Sequence, residues 1–69
     1  MIFKDRLRML VAESNQKLGD IADGMHITTR GLDYLLQGRS SPRVYVLCAA
    51  ADYFKVSTDY LLGRTENRS

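Results

Sequence analysis

Residues 17–38, KLGDIADGMHITTRGLDYLLQG, carry two short helical periods separated by a polar break. Leu18, Ile21, Ala22 and Met25 stand at i, i+3, i+4 and i+7; Leu32, Leu35 and Leu36 stand at i, i+3 and i+4. Each set makes one apolar stripe along a helix. Only three or four residues separate the periods, so the second helix must turn back against the first. Thr29, Arg30, Asp33, Tyr34 and Gln37 fall opposite the second stripe and form an unbroken polar face.

Local signals fix the ends of this pair. Asp20 suits the positive start of a helix over about 17–24. Thr28 can accept from the free amides of the next helix, and Ile27 and Leu32 flank it as a hydrophobic staple. Gly38 suits the left-handed residue that ends a helix. Two helices so joined read as a helix-turn-helix.

Three further helices and no strands are expected. The first covers about 2–13, burying Phe3, Leu7, Leu10 and Val11 and turning Lys4, Arg6, Arg8 and Glu13 to water; Ser14, Asn15 and Gln16 form a turn. The fourth covers about 43–54, with Pro42 at its start and Val44, Leu47, Cys48, Ala51 and Phe54 on its core face. The fifth begins after Ser57, is stapled by Val56 and Leu61, and stops at Gly63. Residues 64–69, RTENRS, read as a frayed tail or the start of a linker.

Sixty-nine residues make one small all-α domain, here residues 1–63 plus the tail. A core of this size contributes only about 3–5 kcal/mol of net stability. A single cysteine rules out an internal disulfide, so stability must come from tight helix packing or from a second copy. Cys48 in an apolar stretch fits a reducing, cytoplasmic setting. Lys4, Asp5, Arg6 and Arg8 interrupt any signal-peptide core, and no apolar run approaches a membrane span. A net charge of +2 permits an anionic partner without demanding one.

Three segments together resemble the phage-repressor and Cro-like (XRE) helix-turn-helix family. They are IADGMHITTRGLDYLLQGR, Pro42 followed by an apolar helix, and ADYFKVSTDYLLGRT, in that order. The resemblance spans about residues 3–64. It implies a compact five-helix, lambda-repressor-like DNA-binding domain, a repressor-like regulator that docks its third helix in the major groove of double-stranded DNA. It also implies a homodimer on palindromic half-sites about one helical turn apart. Carried onto this chain, Thr29, Arg30 and Tyr34 occupy the base-contacting positions. Thr28, Gln37, Arg39, Ser40 and Arg43 occupy positions near phosphates. Lys17, beside the start of the second helix, adds a further phosphate contact.

The chain departs from the family pattern at several places. Leu18 replaces a glutamine that bonds phosphate. His26 replaces a turn glycine, a position histidine can fill in the left-handed conformation. Gly31 weakens the recognition helix by about 1 kcal/mol relative to alanine. Asp33 puts a negative charge on the polar face. Val11 and Leu36 stand where relatives carry an arginine–glutamate pair. Exchanging both members for hydrophobes is neutral or stabilising, so Val11 and Leu36 should meet in the core.

Each assignment has a plainer counterpart. Arg30 can give two hydrogen bonds to guanine O6 and N7, or remain a solvated or phosphate-bound arginine. Thr29 can touch a thymine methyl, or simply start the helix. Tyr34 can reach a base or phosphate, or lie flat on its own helix. Asp33 can accept from a cytosine amino group, or pair with an arginine and oppose non-specific binding. Arg39, Ser40, Ser41 and Arg43 can hold phosphates, or form an ordinary polar loop.

Tyr45, Ala49 and Tyr53, with Val46 beside them, make a second stripe on the fourth helix and a candidate dimer contact. The same stripe suits an interaction module on this fold, antitoxin-like or repressor-modulating, with little DNA affinity. The chain could also be the DNA-binding part of a longer repressor. His26 and Cys48 cannot make a zinc site alone, and no cofactor motif, nucleophile elbow or phosphate loop occurs. An enzyme is not expected.

Overall fold

The computed structural model describes residues 2–69. Among them the chain forms five helices and no strand: α1 (Ile2–Ser14), α2 (Leu18–Gly24), α3 (Thr29–Gln37), α4 (Val44–Phe54) and α5 (Thr58–Leu61). The Cα radius of gyration is 10.7 Å, against about 11 Å for a compact chain of this length. No helix of the described residues is long and apolar enough to cross a membrane.

The helix ends are closed by the residues that the sequence marks. Thr28 Oγ1 accepts from the Gly31 amide at 3.0 Å, and Ser57 Oγ accepts from the Tyr60 amide at 3.0 Å. Gly38 ends α3 in the left-handed conformation (φ 73°), with its amide donating to the Leu35 carbonyl. His26 turns the chain between α2 and α3 at φ 60°. Asn15 and Lys55, at φ 56° and 57°, do the same after α1 and α4.

One core takes a face from every helix. Phe3, Leu7 and Leu10 come from α1, Ile21 and Ala22 from α2, Leu32 and Leu35 from α3, and Tyr60 and Leu61 from α5; Met25 joins them just beyond α2. Leu7, Ile21, Met25, Leu32 and Leu61 are fully buried, each side chain contributing about 1.5–3 kcal/mol. α3 packs on α1 and α2, and α5 on α1 and α4. Val11 and Leu36 are both half-buried against the core. They line one shallow groove between α1 and α3, with Arg8, Ala12, Asp33 and Gln37 around them.

The face of α4 matches expectation at Leu47, Ala51 and Phe54, which are buried or packed against the core, and differs from it at Val44, Val46 and Cys48. Val46, Ala50 and Ala51 are buried, whereas Val44 (77% exposed) and Cys48 face outward. Small Ala50 and Ala51 let the α4 backbone approach the core closely, which rotates Val44 and Cys48 away from it. Val46, expected on the exposed stripe, is therefore a core residue. Gly24 explains part of this seating: a β-carbon there would overlap the Tyr53 ring. The ring lies flush on the end of α2, and its hydroxyl donates to Gln16 Oε1.

Residues 64–69 also differ from expectation. They are not a free tail but fold back along α1. Arg6, expected in water, holds their first part. Its guanidinium donates to the carbonyls of Tyr60 (2.7 Å) and Thr65 (2.6 Å) and pairs with Glu66 at 2.9 Å.

Candidate nucleic-acid interface

α3 is sharply two-sided. Leu32 and Leu35 seal it to the core, while Thr29, Arg30, Tyr34 and Gln37 are exposed and Asp33 is half-exposed. At 100° per residue, Arg30, Asp33, Tyr34 and Gln37 lie along one strip, with Thr29 at its near edge. The cap at Thr28 and the turn at Gly38 hold both ends of that strip. The Thr28 hydroxyl accepts from the backbone, so its proton stays free to donate outward.

Two contacts order the strip. Gln37 Nε2 donates to Asp33 Oδ2 at 2.7 Å. Asp33 thus takes a neutral amide from its own helix rather than an arginine. The Arg39 guanidinium lies 4.8 Å from the centre of the Tyr34 ring. That cation–π contact brings a residue expected near phosphate onto one expected near bases. Arg30 makes no side-chain hydrogen bond or ion pair among the described residues. It is the strip's one cation without an internal partner.

Beside the strip, a cleft of about 350 Å³ lies between the starts of α3 and α4. Thr28, Ser40 and Arg43 line it together, as do His26, Ser41 and Tyr45. Three of the six residues expected near phosphates therefore share one hollow. No side chain caps α4, whose N-cap residue is Arg43 itself. The first amides of α4 are free to meet an anion, with a guanidinium on the preceding residue. Lys17 is likewise the N-cap of α2, without a side-chain cap. The Thr29 hydroxyl lies near Gly19 in that helix's first turn.

Sequence reasoning named Ser41 with the phosphate-holding loop but did not single out His26 and Tyr45 for this cleft. The signal available was position: each lies within two residues of a helix-capping residue, Thr28 or Arg43. The second stripe of α4 is partly used within the chain. Tyr45, Ala49 and Tyr53 border a hollow with Gly24, His26 and Asp52. Tyr53 packs on the core, Ala49 is half-buried, and Tyr45 (65% exposed) remains open beside Val44.

Among the described residues no cluster of three His, Cys, Asp or Glu side chains forms a metal-like site. No protein-family model, no curated protein and no solved structure matches the chain.

Proposed function

We propose that the chain is a sequence-specific double-stranded-DNA-binding regulator of the helix-turn-helix kind, repressor-like and cytoplasmic, with α3 as the element that enters the major groove. One observation carries this reading: α3 buries Leu32 and Leu35 in the core and presents an ordered polar strip on its other side, with an anion-ready cleft at its N-terminal end. Arg30, the cation without an internal partner, reads a base. Thr29 and Tyr34 flank it, and Asp33 limits the bases accepted. Thr28, Ser40 and Arg43 in the cleft, with Lys17, Gln37 and Arg39 around it, position the phosphates.

In this reading two copies bind a palindromic operator, meeting at the open edge of α4 where Val44 and Tyr45 are exposed. That same edge favours a second reading, an interaction module with little DNA affinity. The two part on salt. DNA binding weakens steeply as salt rises, because bound cations release counterions from phosphate. A protein-only module shows no such dependence.

The test is selection from a random DNA pool at physiological salt, followed by binding of two variants. The expected result is an enriched palindrome. Arg30→Ala then loses discrimination at one base pair per half-site, about 1–3 kcal/mol. Arg43→Ala weakens all sequences alike and lowers the salt slope by about 1. No enrichment refutes the DNA reading, and equal losses on every sequence for both variants refute the division of roles.

A further inference from the structure

The segment 64–69 follows α1 from its start to its end. Gly63 packs on Ile2, Thr65 and Glu66 meet Arg6, and Arg68 meets Met9 and Glu13. Ile2, Arg6, Met9 and Glu13 stand at i, i+4, i+7 and i+11, so they share one face of the helix. Arg68 grips Glu13 with two hydrogen bonds of 2.9 Å. On the other side of the segment, the Arg68 carbonyl accepts from the Ser57 amide at 2.7 Å, which ties it to the cap residue of α5. The Tyr60 ring lies under two guanidiniums, Arg6 at 4.3 Å and Arg68 at 5.3 Å.

We propose that residues 64–69 form an electrostatic latch, hinged at Gly63, that closes the seam between α1 and α5 and opens without unfolding the core. Three observations carry it. None of residues 64–69 belongs to the hydrophobic cluster, so opening removes no core side chain. The contacts that close it are polar and largely exposed: the Glu66 side chain is 94% exposed, and those of Arg68 and Glu13 are 43% and 49% exposed. Exposed pairs of this kind are individually weak, and salt screens them over a Debye length of about 10 Å at 0.1 M. Gly63, at φ 79°, puts the residue with the widest backbone freedom at the hinge.

The two ends of the latch are unequal. The Arg6 side chain is only 15% exposed, and it keeps its bond to the Tyr60 carbonyl when the segment leaves. The Arg68 end has no such buried anchor, so it opens first. Opening frees the Ser57 amide and uncovers one side of the Tyr60 ring. It also joins that ring to the already exposed Ile2, Met9 and Leu62. The latch thus sets how much apolar surface the α1–α5 seam shows, and ionic strength is its control.

Residue-resolved amide exchange on the full chain tests this, in low and high sodium chloride. The Ser57 amide should exchange about fivefold faster at high salt, while the amides of Leu32 and Leu35 change less than about twofold. Arg68→Glu should produce the same selective rise at low salt. Adding Glu13→Arg to it restores the pair with its charges reversed, and should bring Ser57 back to within about threefold of the starting rate. The core amides report any general loss of folding. A Ser57 amide that ignores salt and Arg68→Glu, one that moves only together with the core amides, or a reversed pair that restores nothing would each overturn the latch.

Discussion

Gly24→Ala should destabilise this chain, although alanine is the better helix former. Gly24 is the last residue of α2 and has no positive φ, so the backbone accepts alanine. The propensity gain is at most about 1 kcal/mol. Against it stands the Tyr53 ring, which occupies the space a β-carbon needs. To clear it, the ring must swing off the end of α2. It then gives up its hydroxyl bond to Gln16, about 0.5–1.5 kcal/mol, and its edge contact with Phe54 at 5.0 Å, a similar amount. The losses come to about 1–3 kcal/mol, so with the full propensity gain set against them the net loss is up to about 2 kcal/mol. Urea unfolding of four proteins checks it: the parent, Gly24→Ala, Tyr53→Ala and the double variant. In the Tyr53→Ala background the obstacle is gone, so Gly24→Ala should become stabilising by up to about 1 kcal/mol. The reversal of sign is the decisive result. A stabilising Gly24→Ala in the parent, or the same sign in both backgrounds, would refute the close seating of α4 on α2.

Thr28→Ala removes the cap of α3 and should cost about 1 kcal/mol in the same unfolding assay. Val46→Ser, at a buried site, should cost about 1–3 kcal/mol, whereas Tyr45→Ser on the neighbouring exposed position should stay within about 0.5 kcal/mol. The reverse order would restore Val46 to the surface of α4. The hydrogen bonds from Arg68 hold the Glu13 carboxyl below its ordinary value. A depressed folded value means that the stabilisation is fully present above the unfolded pKa and fades as pH falls through the folded one. Stability should therefore drop on the acid side, and Glu13→Gln should flatten that part of the profile, with the titration of Glu13 followed directly by NMR.

The ends of α3 were legible because single residues make them. Thr28, Gly38 and His26 each act through their own backbone or a bond three residues away, and sequence displays such short-range chemistry. α4 was not legible in the same way. VYVLCAAADYF is apolar nearly all round, so periodicity does not choose a face. The choice falls to the partner surfaces: Ala50 and Ala51 permit close approach, and Gly24 makes room for Tyr53. Cys48, apolar in its surroundings by sequence, is left outside by that rotation. The RTENRS segment misleads for the opposite reason. Its composition is that of a free tail, and what orders it lies far off in the sequence: Arg6, 59 residues before Thr65, and Glu13, 55 residues before Arg68.

The polar strip of α3 bears on how selectivity could arise on a chain with a net charge of only +2. Asp33 is bonded to Gln37, an uncharged amide, so its negative charge is held in place without being neutralised. Tyr34 and Arg39 hold each other, which reduces the freedom lost when either meets a ligand. On the same strip as Arg30 and Tyr34, a fixed carboxylate repels a phosphate backbone wherever no compensating contact is made. On the proposed reading this lowers affinity for all DNA and lowers it least where Asp33 meets a cytosine amino group. Specificity is a difference of affinities, and a repulsive element raises it as surely as an attractive one. Asp33→Asn should therefore tighten binding to random DNA more than to the selected operator, narrowing the ratio between them. A variant that tightened both equally would show that Asp33 contributes only bulk charge.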